Sequence, residues 1–85
     1  MKLTHEELVE ALADYAHASW AGWMKYLFSK SSLNPDSSVT IPAELARRWA
    51  MQVTTPYSAL PENEKESDRD EARKMLAIIN EEQPQ

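Results

Sequence analysis

The sequence predicts a mainly α fold, a small single-domain helical bundle of about three helices over residues 1–85, with room for a short β-strand pair. Apolar residues recur at steps of three and four in three separate stretches, the period of a helix with one face turned inward. Proline and Ser/Asn/Pro/Asp clusters fall between those stretches, where a chain must turn. No alternating run is long enough to be a secure strand; Val39 to Ile41 is the best short candidate.

The first helix opens on Thr4-His5-Glu6-Glu7, a capping box, with Leu3 and Leu8 at the staple positions around it. Leu8, Leu12, Tyr15, Ala16, Ser19, Trp23, Tyr26 and Leu27 then keep helical spacing, which predicts a helix from about 5 to about 29. Gly22 lies inside it and weakens it by roughly 1 kcal/mol relative to Ala unless something packs close there. Met24 and Phe28 fall outside that stripe and widen the apolar surface. Residues 29–40, SKSSLNPDSSVT, read as a Ser-rich loop with a turn at Asn34-Pro35-Asp36. A second helix starts with Pro42 at its first position and carries Leu45, Trp49 and Val53 as its core stripe. Thr54-Thr55-Pro56 ends it. The third begins near Pro61, turns Ala72, Leu76 and Ile79 inward with Met75 beside them, and fades into a flexible tail at 82–85.

Composition removes several functions. Cysteine is absent, which excludes disulfides and thiolate metal sites. His5 and His17 lie twelve residues apart, a separation that fits no local metal-ligand spacing. The single glycine rules out a glycine-rich phosphate loop. No apolar run approaches the roughly 20 residues of a membrane span, and the N-terminus, one Lys followed by acids, is unlike a signal peptide. A cytoplasmic protein is expected. The net charge is −5, and residues 57–85 hold eight acids against four bases. Without an obvious basic face, a nucleic-acid partner is not expected. The acid-rich stretch ENEKESDRDE offers many carboxylate pairs, but on a solvated helix face such runs carry no specific catalytic signal.

The third helix poses a question. Its apolar side, carried back by threes and fours, meets Arg69, Asp68 and Lys65, where aliphatic residues would stand in a core helix. The segment Pro56-Tyr57-x-x-Leu60-Pro61-x-x-Glu64-Lys65-x-x-Asp68-Arg69-x-x-Ala72 closely resembles the closing motif of the RyR domain. That small repeat is named after ryanodine receptor channels and also occurs in bacterial and phage proteins. His17-Ala18-Ser19-Trp20 is similar to the family's H-x-x-W. The two motifs cover about a third of the chain, and residues 29–55 carry no convincing match. One departure stands out: the family follows H-x-x-W with a Gly-Trp-x-Tyr-Gly turn into a short hairpin. Here Gly22-Trp23 comes early and Met24-Lys25-Tyr26-Leu27-Phe28 follows, which predicts a longer helix instead.

The resemblance implies a non-enzymatic module of the freestanding bacterial or phage type, in which the final helix packs on the first. Together with the polar inner face of the third helix, it implies one ligand-binding site of His17, Trp20, Tyr57, Lys65, Asp68 and Arg69, with Trp23 as a further candidate ring. In one reading Arg69 and Lys65 hold a ligand's anionic group above aromatic rings. In the other, ion pairs, helix-end carbonyls and the Tyr57 hydroxyl satisfy these groups within the fold. No catalytic residue, metal or cofactor is expected, because no Ser, Cys or acid is placed to complete a set with His17. The expected partner is an anionic, ring-bearing small molecule of nucleotide-derived type, which a phage copy would sequester against a host defence signal. The alternative is a structural or adaptor protein that oligomerises, or binds a partner helix, through the Met24/Phe28 edge and the acidic third helix. A homodimer or higher homo-oligomer is expected, through the Met24/Phe28 edge, because so short a chain has little core to spare.

Overall fold

The computed structural model describes residues 3–80. Its elements run α1 (His5–Lys30), β1 (Ser32–Leu33), β2 (Val39–Thr40), α2 (Ala43–Thr54), a 3₁₀ turn (Tyr57–Ala59) and α3 (Glu62–Asn80). Three helices and a two-stranded antiparallel sheet match the expected class. The expected tail at 82–85 lies outside the described residues. Two compact units divide the chain, Met1–Ser19 with Pro61–Gln85 and Trp20–Leu60.

The capping box forms as a reciprocal pair. The Glu7 N–H donates to Thr4 Oγ1 at 3.1 Å and the Thr4 N–H donates to Glu7 Oε1 at 2.8 Å. Two of the donors that a helix start leaves open are thereby satisfied, an arrangement worth about 1 kcal/mol. α1 runs unbroken through Gly22, and among the described residues nothing lies within 4 Å of where a Cβ would sit there. No close approach requires this glycine.

The Ser-rich segment is more ordered than a loop. Ser29 and Ser31 hydroxyls donate to the carbonyls of Tyr26 and Leu27, each at 2.7 Å, and so finish α1. Leu33 then pairs with Val39 and Ser32 with Thr40. The Asp36 carboxylate closes the turn by accepting the Ser38 N–H at 3.0 Å and its hydroxyl at 2.6 Å. These bonds hold the Asp36 carboxyl below its usual range, the Ser38 hydroxyl contributing most. Asn34 Nδ2 reaches Ser38 and Thr40 at 3.0 Å each. Ser37 takes a left-handed φ of 75°, a position that glycine would hold at lower cost. A five-residue turn built on side-chain bonds leaves no periodic signature, so the loop reading of 29–40 is corrected to a hairpin.

α2 begins one residue after Pro42, which serves as its N-cap. Its inner face is also corrected. Leu45, Trp49 and Gln52 are half-buried, whereas Val53 is 83 % exposed. Steps of three and four are equally helical, and the neighbouring elements select the Gln52 side. Thr55 ends the helix by donating from its hydroxyl to the Met51 carbonyl at 2.6 Å.

In the unit of 1–19 with 61–85, Leu8, Leu12 and Tyr15 of α1 are half-buried, and the Tyr15 hydroxyl donates to the Glu71 carboxylate of α3. α3 turns Glu64, Lys65, Arg69, Glu71 and Ile78 to its half-buried side. The expected aliphatic core of this helix does not form: Leu76 is 56 % exposed and Ile79 38 %. Ala16, Trp23 and Tyr26 of the α1 stripe are likewise exposed, and Met24, expected outside it, is half-buried. Among the described residues none is fully buried. With so little interior, hydrophobicity ranks positions poorly.

Candidate functional site

The unit of 20–60 holds an apolar cleft of about 120 Å³, lined by Trp23, Met24, Tyr26 and Leu27 of α1 and Trp49 of α2. Helical spacing builds one wall, since positions 23, 26 and 27 are one turn apart. Trp49 closes the other, four residues after the half-buried Leu45. The rings meet edge to face. Trp23 and Tyr26 have centroids 6.3 Å apart at 88°, and Tyr26 and Trp49 6.4 Å apart at 61°. That geometry sets the positive edge of one ring against the negative face of the next and fixes all three. The Lys30 ammonium, one turn beyond Tyr26, stands over its ring at 5.5 Å from the centroid. Trp23 is 55 % exposed and Tyr26 44 %, so the α1 wall remains open to water.

Such a cleft suits a single flat ring. Its volume is below the roughly 300 Å³ and above of sites that enclose a whole drug-sized molecule. A ring stacked on tryptophan or tyrosine gains about 1–3 kcal/mol with little dependence on its identity. The lysine at the margin adds one positive charge where a substituent of that ring would emerge.

The polar positions predicted from sequence occupy the other unit. Lys65 and Arg69 lie on the half-buried side of α3, with side chains 20 % and 36 % exposed, while Asp68 is exposed. A ladder of carboxylates on the same helix engages these cations. Arg69 bonds Glu62 and Glu66 at 3.1 Å each, and Arg73 bonds Glu66 at 2.8 Å and Asp70 at 2.7 Å. Lys65 approaches Glu62 at 3.9 Å. The hydrogen bond from Arg73, and next that from Arg69, hold the Glu66 carboxyl below its usual range, and Glu66 raises Arg73 in return. This ladder answers the question of the third helix in part: Lys65 and Arg69 are partnered along the helix itself. His17 on α1 is exposed, as are Trp20 and Tyr57 in the unit of 20–60, and each of the three has an interaction partner.

The structure thus gathers Lys65 and Arg69 on one helix face and sets Trp23 into the cleft wall. Met24, Tyr26, Leu27, Lys30 and Trp49 were not among the sequence-predicted site residues. The spacing 23, 26, 27, 30 carries the signal, but the same spacing also describes a core stripe, and only the position of Trp49 distinguishes the two. Among the described residues no group of three or more His, Asp or Glu gathers as for a metal, and no helix is long and apolar enough to cross a membrane. No protein-family model, no curated protein and no solved structure matches the chain.

Proposed function

We propose that this chain is a non-enzymatic binding module that takes an anionic, ring-bearing small molecule of nucleotide-derived type, with the ring in the cleft of Trp23, Tyr26 and Trp49. One observation carries the reading: three aromatic rings fixed edge to face around an open apolar cleft, with an ammonium group over one of them.

The RyR-like motifs support the same class of function. In this proposal His17, Trp20, Tyr57, Lys65, Asp68 and Arg69 retain the ligand-binding role which that resemblance implies, and the module works in the cytoplasm, as a sponge for a nucleotide-type signal. Titration of the intrinsic tryptophan fluorescence with purine mononucleotides and cyclic mononucleotides tests it. Saturable quenching is expected, weakened roughly 10- to 100-fold in Trp23→Ala, as loss of one stacking partner implies. Quenching in Arg69→Ala at the wild-type concentration would remove Arg69 from the ligand role and leave the cleft. Unquenched fluorescence throughout the panel would contradict the proposal.

A further inference from the structure

Charge divides the two units. The unit of 20–60 carries four bases, Lys25, Lys30, Arg47 and Arg48, against two acids, Asp36 and Glu44. The unit of 1–19 with 61–85 carries twelve acids against five bases. The aromatic cleft thus belongs to the cationic part of an acidic chain, where a small anion is attracted rather than repelled. Lys30 stands at the cleft, its ammonium 5.5 Å from the centroid of the Tyr26 ring.

We propose that Lys30 holds the anionic group of the cleft's ligand, and that this ligand is a nucleoside monophosphate. The base lies against the rings and its one phosphate meets the ammonium. This assignment rests on the reading of the cleft as a ring site, and adds which residue reads the charge and how much charge it reads.

No carboxylate competes for the ammonium. α1 has no acid from Tyr15 to Lys30, and among the described residues Lys30 enters no ion pair. Asp36, the next acid along the chain, accepts the Ser38 N–H and hydroxyl. On α3, by contrast, an anion must displace Glu62 or Glu66 to reach Arg69. The cation–π contact holds the Lys30 ammonium in place before a ligand arrives, which reduces the entropy lost on binding.

The surroundings make that charge necessary. The last turn of a helix presents carbonyls, which repel an anion. The Ser29 and Ser31 hydroxyls cover those of Tyr26 and Leu27 at 2.7 Å each, and Lys30 is the basic residue of that turn. The five residues lining the cleft are uncharged, so the base meets apolar surface and charge is read at the margin. One ammonium answers one phosphate.

Fluorescence titration of the full chain with adenosine, its 5′-monophosphate and its 5′-triphosphate tests this. At low salt the monophosphate should bind about 5- to 10-fold more tightly than the nucleoside, the worth of one solvent-exposed charge contact. The triphosphate should lie within about threefold of the monophosphate, and salt at about 0.5 M should bring the first ratio toward one. Lys30→Met, which keeps the apolar stem, should bring the ratio to about one at low salt, and Lys30→Arg should preserve it. Each ratio is taken within one variant, so a shared loss of stacking leaves it unchanged. A Lys30→Met ratio equal to that of the wild type would overturn the proposal and leave the cleft as a ring site. So would a ratio indifferent to salt, or a triphosphate bound far more tightly than the monophosphate. Wild-type fluorescence quenched by none of the three compounds would instead contradict the ring site itself, and this assignment with it.

Discussion

The two units reach order by different means. The unit of 1–19 with 61–85 is organised by charge. Its α3 carries a ladder from Glu62 through Arg69, Glu66 and Arg73 to Asp70, and a Tyr15–Glu71 hydrogen bond ties α1 to α3. The unit of 20–60 is organised by rings and a turn, with Tyr26 against both Trp23 and Trp49 and a hairpin closed by Asp36. Exposed ion pairs contribute little and fade with salt, whereas aromatic contacts persist. The stability of the second unit should therefore depend on packing, and that of the first on solution conditions.

The sharpest way to break this comparison is Trp49→Ala. Removing a half-buried ring shared by the cleft and the Tyr26 contact should cost about 2 kcal/mol, below the 3–5 typical of fully buried aromatics, as read from urea unfolding. A cost under about 0.5 kcal/mol would mean that the rings do not hold this unit. In the other unit, Tyr15→Phe deletes one hydroxyl and should cost about 1 kcal/mol, because the Glu71 carboxylate keeps access to water and to Lys74.

A third substitution tests the helix common to both units. Gly22→Ala should stabilise by about 0.5–1 kcal/mol, since α1 passes through Gly22 and none of the described residues lies where the new methyl would sit. A destabilised variant would show that something packs there.

The smallest effect is that of pH on the ladder. Glu66 titrates below its ordinary value of 4.5 because Arg73 and then Arg69 bond its charged form. A folded-state value lower than the unfolded one favours the fold above about pH 4.5, and that contribution is lost as pH falls through the depressed value. The helical signal of α3 should thus weaken slightly as pH falls below about 4.5, and Glu66→Gln should remove the part of that slope due to this residue. An unchanged slope would leave the ladder without thermodynamic weight.

Much of the fold was legible because local chemistry fixed it. The Thr4/Glu7 box, the Pro42 and Thr54-Thr55-Pro56 boundaries and the long first helix all rest on interactions within a few residues. Positions decided by neighbours distant in sequence were misread. Val53 and Gln52 are both one turn from Trp49, and hydrophobicity favoured the wrong one. Leu76 and Ile79 carry the pattern of a core face and are exposed instead. A short strand pair was expected and Val39 was placed in it, but the partner strand Ser32–Leu33 escaped because two-residue strands have no period and the left-handed residue of the turn is Ser37 rather than glycine. Of the candidate site, Trp23 was named, Tyr26, Leu27 and Trp49 were read as packing and Met24 as part of a self-association edge, a division that residue types alone do not resolve.

The account turns on whether the cleft receives a ring. The chain has three tryptophans, Trp20, Trp23 and Trp49, and hence three indole N–H resonances in a ¹⁵N-resolved spectrum. Titration with a purine mononucleotide should move the Trp23 and Trp49 signals together and saturably, with one shared dissociation constant, and Trp49→Ala should abolish the movement at Trp23. Indole signals for Trp23 and Trp49 that stay in place while nucleotide reaches millimolar excess would contradict it.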